Sequence, residues 1–300
     1  MKLLITGAWA DAKTHFEEIE SMGHRIAFLQ QEADELPCAP AWVEGVICNG
    51  LFLHHPIEQF VNLRFIQLTS AGFDRVDMNY VKTRGIKIYN ARGVYSIPMA
   101  EFAVSGVLQL YKQSRFFYEN QKAHKWEKHR GLLELYGKTV TILGCGSVGT
   151  ECAKRFKAFG CRVLGVDLYP REDEHYEFMY PLDALDTLLP TTDVLLLTLP
   201  LTAETYHLMN RDRLALLPQH AVVVNISRGK TLEEAALIDA LHHKKLFGAV
   251  LDVFEEEPVA ETNQLWEVRN LIVTPHNSFI SERNSGRLNK MILMTIKESI

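Results

Sequence analysis

Three kinds of pattern are missing from this 300-residue chain, and each absence removes a class of function. Its five cysteines (Cys38, Cys48, Cys145, Cys152, Cys161) are odd in number, scattered, and form no C-x-x-C pair. A disulfide framework or zinc site is therefore not expected, no metal is assigned, and reduced thiols in a cytoplasmic protein are the simple reading. No apolar run approaches the roughly 18 residues of a membrane span. The N-terminal run Leu3-Leu4-Ile5 is too short for a secretory core and is followed by Gly7 and Asp11, so a first β-strand is expected there. There is no basic excess either, with 32 Lys and Arg against 37 Asp and Glu and a net charge of −5. Without a clustered basic face, nucleic acid is not an expected partner, and neither is a membrane.

What is present is ample apolar material, 47% of residues, in a chain long enough for two cores. Short β-type runs alternate with helical stretches from end to end, the pattern of parallel α/β architecture. The first series is Leu3–Thr6, Arg25–Leu29, Val43–Cys48, Phe65–Leu68 and Lys87–Tyr89, with a helix from Asp11 to Met22 closed by Gly23. From Ser96 to about Lys125 the spacing of Met99, Phe102, Ala103, Val107, Leu110 and Tyr111 predicts one long helix. A second series follows: Thr139–Leu143, Arg162–Val166, Val194–Thr198, Val222–Ile226, Ala249–Val253 and Leu271–Val273. The expected fold is two doubly wound parallel-sheet α/β domains. Residues 1–96 with 274–300 form one, the final helical stretch from Glu282 returning to pack on it; residues 97–273 form the other.

The second series opens on Gly144-Cys145-Gly146-Ser147-Val148-Gly149, between the strand Thr139–Leu143 and a helix from Val148 to Phe159 ended by Gly160. A G-x-G-x-x-G run is weak alone, but the strand–turn–helix context gives each glycine a task. Gly144 permits the tight turn, Gly146 admits a pyrophosphate close to the backbone, and Gly149 lets helix and strand pack closely. The next strand ends at Asp167, where an acid can hydrogen-bond an adenosine ribose and repel a 2′-phosphate. This is a Rossmann fingerprint, and it favours NAD. Arg171 points the other way, since a guanidinium there could accept that phosphate.

Three later strands end in ionisable residues: Ser227-Arg228-Gly229, Glu255-Glu256-Glu257-Pro258 and Thr274-Pro275-His276. Ligand sites of such sheets lie beyond the carboxyl ends of the strands, so these residues share one edge. Arg228 can bind and polarise a 2-oxo acid, His276 can exchange a proton with its oxygen, and a carboxylate such as Glu257 can orient the histidine. Each taken alone could be an ordinary surface residue; the joint arrangement carries the reading.

At this point the segments Leu135-Tyr136-Gly137-Lys138-Thr139-Val140, Asn225–Gly229, Leu251–Pro258 and Thr274-Pro275-His276 resemble the D-isomer-specific 2-hydroxyacid dehydrogenase family, along essentially the whole chain. The resemblance implies that the first domain is flavodoxin-like, with the active site in a cleft between the domains and a homodimer built on the long helix. It implies that Arg228 binds substrate, Glu257 orients the histidine and His276 is the general acid/base. The implied NAD-binding set is Gly144, Gly146, Ser147, Val148, Gly149, Asp167, Pro200, Thr205, Ile226 and Asp252, the last at the nicotinamide carboxamide. Ala71 and Gly72, within Ser70-Ala71-Gly72-Phe73-Asp74, would receive the substrate carboxylate, beside Arg228 and His276. The chain departs from many relatives at Leu232-Glu233 and at Asn277-Ser278-Phe279. Asn49-Gly50-Leu51 also lacks the basic residue found there in phosphoglycerate-specific relatives. The implied reaction is reversible hydride transfer between NADH and a small, non-phosphorylated 2-oxo acid resembling glyoxylate, hydroxypyruvate or pyruvate. Two alternatives stay open on sequence. One is an NAD-sensing, corepressor-like interaction protein. The other is another NAD enzyme of this fold, such as a formate dehydrogenase, for which Gln rather than Glu257 would be expected.

Overall fold

A computed structural model describes residues 1–298 and divides the chain into two compact units: Met1–Tyr95 with the residues from Ser281 on, and Ser96–Ile280. In the first unit, β1 (Lys2–Thr6), β2 (Arg25–Leu29), β3 (Gly45–Cys48), β4 (Phe65–Leu68) and β5 (Lys87–Tyr89) form one sheet. All pairs are parallel and the order is β2-β1-β3-β4-β5, the flavodoxin-like order. Every residue of β3 and β4 is buried, which is why these strands read as continuous apolar runs: both faces of the sheet are covered. The helical stretch expected at 11–22 is a one-turn 3-10 helix, Ala12–His15, followed by α1 (Phe16–Ser21). Further on, α2 (Met78–Arg84) starts under Asp77, whose Oδ1 accepts from the N–H groups of Asn79 and Tyr80, and stops at Gly85 in the left-handed region. The C-terminal helix Asn284–Glu298 returns to this unit, packing Leu288, Ile292 and Ile296 with Leu3, Ile5 and Ile47.

The second unit begins with α3 (Ser96–Tyr111), which buries Ala100, Ala103, Val107 and Tyr111. The single helix expected to reach Lys125 is broken. Gln113 adopts φ 53°, the left-handed region, and α4 (Ser114–Lys122) starts anew. No Gly or Pro marks this break, so periodicity ran through it. The sheet comprises β6 (Thr139–Leu143), β7 (Arg162–Val166), β8 (Phe178–Tyr180), β9 (Val194–Leu197), β10 (Val222–Asn225), β11 (Gly248–Leu251) and β12 (Leu271–Val273). Its order is β12-β11-β10-β9-β6-β7-β8, all parallel, the Rossmann order lengthened by one strand. The short edge strand β8 was not foreseen.

Side chains alternate across this sheet into two cores. Leu195, Leu197, Val223, Ala249 and Leu251 pack on the face covered by the helices Arg211–Leu216 and Glu234–His242. On the other face, α3 and α5 (Ser147–Ala158) meet Val140, Ile142, Leu196, Val222, Val224 and Val250. Each fully buried Val or Leu contributes about 1.5–3 kcal/mol, which fixes the strands in register and delivers their carboxyl ends to one edge. Residues 274–280 group with this unit rather than with the first, against the boundary at 273 read from sequence. The reason is a set of hydrogen bonds from this segment to Asp252 at the end of β11, described next.

Candidate active site

The reversal of strand order in the second sheet falls between β6 and β9, and the glycine turn leaves β6 there. Gly144 has φ 92°, and a Cβ on it would lie 2.7 Å from the backbone N of Leu199. A Cβ on Gly149 would lie 2.2 Å from the carbonyl oxygen of Gly144, so both positions require glycine. Gly146 differs: a Cβ there would meet nothing within 4 Å. The backbone at the start of α5 therefore faces open space with helix N–H groups directed outward, which fits a pyrophosphate. Asp167, after β7, accepts from the Cys145 N–H at 2.7 Å and the Tyr169 N–H at 3.0 Å. Arg171 donates to the Cys145 carbonyl at 2.8 Å, so an acid and a guanidinium grip the two sides of one residue in the turn. Within the turn, burial pushes the Cys145 thiol up to about 12, which keeps it protonated and inert.

The loop after β9 closes on itself. Thr205 is buried; its hydroxyl donates to the Pro200 carbonyl and accepts from the Thr202 N–H, both at 2.7 Å. Ile226 is buried just beyond β10. Next comes Arg228, whose carbonyl accepts from Thr231 Oγ1 at 2.7 Å and Asn225 Nδ2 at 3.1 Å, while Nη1 donates to the Ser227 carbonyl at 2.7 Å. A Cβ on Gly229 would fall 1.9 Å from the carbonyl carbon of Phe254. The arginine loop thus lies backbone to backbone against the loop that carries Glu257.

Asp252, fully buried after β11, organises the histidine segment. Its Oδ1 accepts from Thr274 Oγ1 at 2.6 Å and the Asn277 N–H at 2.7 Å, and Oδ2 from the Ser278 N–H at 2.9 Å. The His276 N–H donates to the Asp252 carbonyl at 2.8 Å. So held, His276 takes φ 51° and places Nδ1 2.8 Å from Glu257 Oε2. Glu257 Oε1 accepts from the Phe254 N–H at 3.0 Å. Phe279 turns its ring edge-on to His276, with centroids 6.1 Å apart. The histidine side chain is 44% exposed, open to a reactant.

Glu257 and His276 are thereby brought into direct contact, and Arg228 is tied to the Glu257 loop through Gly229. Ala71 and Gly72 lie in the first unit, in the loop after β4, where their carbonyls accept from Asn90 Nδ2 and Ser70 Oγ. Sequence reasoning missed the clamp on Asp252 and its partners Thr274, Asn277 and Ser278. A buried Asp at a strand end was the available signal, but its partners lie 22–26 residues away.

Residues 104–278 match the model for the D-isomer specific 2-hydroxyacid dehydrogenase, NAD binding domain. A glyoxylate reductase of Korarchaeum cryptofilum is 33% identical over 257 residues, covering 82% of this chain and 77% of that protein. A D-3-phosphoglycerate dehydrogenase of Methanocaldococcus jannaschii is 33% identical over 244 residues, but those span 81% of this chain and only 46% of that longer protein. Among solved structures, a D-isomer specific 2-hydroxyacid dehydrogenase family protein from Aeromonas salmonicida subsp. salmonicida superimposes with a TM-score of 0.84 at 30% identity. That match covers 99% of this chain and 94% of the other. A Rossmann unit with this turn, this pair of strand-end loops and these relatives has one placement: the chain belongs to the D-isomer specific 2-hydroxyacid dehydrogenase family, and its second unit is that family's NAD-binding domain.

Proposed function

We propose that this chain reversibly reduces a small, non-phosphorylated 2-oxo acid to the D-2-hydroxy acid, with glyoxylate and hydroxypyruvate as the leading candidates. The observation that carries the reading is the 2.8 Å contact between Glu257 and His276 Nδ1, on loops that leave adjacent strands of an NAD-binding unit. A carboxylate at Nδ1 holds the ring proton there and leaves Nε2 to face the reactant. His276 then gives a proton from Nε2 to the substrate's carbonyl oxygen in reduction and takes it back in oxidation. Bound NADH supplies the hydride that makes C2 a CH–OH centre. Arg228 binds the substrate by its planar, permanently charged guanidinium and draws electron density toward the carbonyl oxygen. The backbone of Ala71 and Gly72 receives the carboxylate.

The cofactor is held by the turn Gly144, Gly146, Ser147, Val148 and Gly149, with Asp167 at the ribose and Pro200, Thr205, Ile226 and Asp252 along its length. An unphosphorylated substrate is favoured because Asn49-Gly50-Leu51 offers no cation after β3. The test is absorbance at the nicotinamide band with purified protein, NADH or NADPH, and a panel of glyoxylate, hydroxypyruvate, pyruvate and branched 2-oxo acids. Turnover of the short acids with NADH preferred is the expected result. No turnover of any acid by protein that demonstrably binds NADH would overturn it.

Two further parts of the reading concern state and place. A homodimer is supported by the side chains α4 and the following loop leave bare, with Tyr118 61% and Trp126 100% exposed. Light scattering should give twice the mass of one chain. Five free thiols, four of them buried, support the cytoplasm as the compartment.

A further inference from the structure

Open α/β sheets take their ligands at the carboxyl edge where strand order reverses. In the first unit that reversal lies between β1 and β3, because β2 flanks β1 on one side and β3 on the other. A side chain of the protein itself occupies it. Glu32, in the loop after β2, has Oε1 2.8 Å from Thr6 Oγ1 and 2.7 Å from the Asn49 N–H, and Oε2 2.6 Å from the Gly50 N–H. Thr6 ends β1, and Asn49-Gly50 follow β3, so the carboxylate bridges the two strands on either side of the reversal. A Cβ on Gly50 would lie 3.4 Å from Glu32 Oε2 and 3.7 Å from Cδ of Arg75. Two successive backbone N–H groups and a hydroxyl, converging on one carboxylate, are the donor set of a built anion site. His55 Nε2, 3.0 Å from the Glu32 carbonyl oxygen, steadies the loop that delivers the occupant.

We propose that Glu32 is a built-in anion: it fills an anion-binding crevice at the strand reversal of the first unit and, by its charge, bars ligands bearing a phosphate or second carboxylate there. The crevice stands on the geometry alone; its effect on substrate choice rests on the reading of the chain as a 2-oxo acid reductase. The loop Ser70–Asp74, after β4, and Gly50, after β3, leave adjacent parallel strands at the same sheet edge, so a second anionic group on an acid held by that loop would face the Glu32 charge. Repulsion between like charges in a partly buried site lowers affinity by about ten- to a hundredfold.

Glu32→Ala leaves the donors and removes the occupant. Titrated with inorganic phosphate at constant ionic strength, the variant should show a saturable rise in Tm of about 2–4 °C. The wild-type protein should show only the smaller rise that the glycine turn, common to both proteins, can give. An equal rise in both proteins places any phosphate site elsewhere, and no rise in a folded variant means the crevice does not bind anions; either result overturns the proposal. Glu32→Gln keeps the shape and loses the charge. With it, kcat/KM for 3-phosphohydroxypyruvate relative to hydroxypyruvate should rise at least about tenfold. An unchanged ratio overturns the role in selectivity. Failure of the wild-type protein to turn over any 2-oxo acid strikes at the reductase reading, and the phosphate titration still decides the crevice.

Discussion

Glu257 and His276 sit nineteen residues apart in sequence, yet Glu257 Oε2 lies 2.8 Å from His276 Nδ1. Their strands β11 and β12 are neighbours, and each loop is fixed independently of the pair: Glu257 by the Phe254 N–H, His276 by the backbone of Asp252. The contact is therefore set by the sheet, with the histidine ring oriented before any reactant arrives.

Replacing His276 by Gln removes the proposed proton donor while leaving an amide near Glu257. The expected loss in kcat is about 10²–10⁴-fold, with the affinity for NADH, measured by fluorescence titration, within a few-fold of wild type. A kcat close to wild type would remove His276 from the proton-transfer step.

Gly229→Ala tests the backbone contact between the arginine and glutamate loops. Its new methyl group would fall 1.9 Å from the carbonyl carbon of Phe254, so one loop must shift by an ångström or more. The expected result is a drop in kcat/KM of about a hundredfold, because Arg228 rides on the displaced segment. Far-ultraviolet circular dichroism should show the sheet intact.

For Asp167, the change to Ala withdraws the carboxylate at the end of β7, which accepts from Cys145 and Tyr169. KM for NADH should rise about tenfold or more, as for the loss of a hydrogen bond to a charged group. KM for NADPH should rise less or fall, since Arg171 stays beside the turn and the repelling charge is gone. Parallel losses with both cofactors would mean that Asp167 serves the turn alone.

His24 gives a stability test in the first unit. It is 5% exposed, with neither ring nitrogen hydrogen-bonded, and burial, followed by the N-terminal charge, lowers its pKa below 6.5. The folded chain resists a proton that the unfolded chain accepts. Stability from this residue is thus complete above about pH 6.5 and is lost as the pH falls from there toward the lowered value. His24→Leu should flatten the fall of Tm between pH 7 and pH 5 relative to wild type. Superimposable curves would show that His24 finds a partner for its charge.

Much of this structure was legible because parallel sheets covered on both faces write themselves as apolar runs, and runs such as Val194–Leu197 and Val222–Asn225 are unmistakable. Strand ends then locate Arg228, Glu257 and His276 on one edge by topology alone. The break at Gln113 was hidden because a glutamine rather than a glycine takes the left-handed turn. Strand β8 was hidden because Phe178–Tyr180 is three residues long and lies at the sheet edge. The roles of Asp252 and Glu32 were out of reach for a different reason. Both act through hydrogen bonds to residues 17–26 positions away, and no local spacing encodes such partners.

The glycine turn, Arg228, Glu257 and His276 all belong to the unit Ser96–Ile280, while Glu32 and the loop Ser70–Asp74 belong to the other. The proposed reactive groups and the proposed selectivity groups therefore lie in separate units. If the proposed roles hold, substitutions in the first unit should change which acid is admitted while the glycine turn, Glu257 and His276 stay as they are. On the same proposal, a laboratory chimera that exchanges Met1–Tyr95 together with the helix Asn284–Glu298 should take on its donor's choice of substrate.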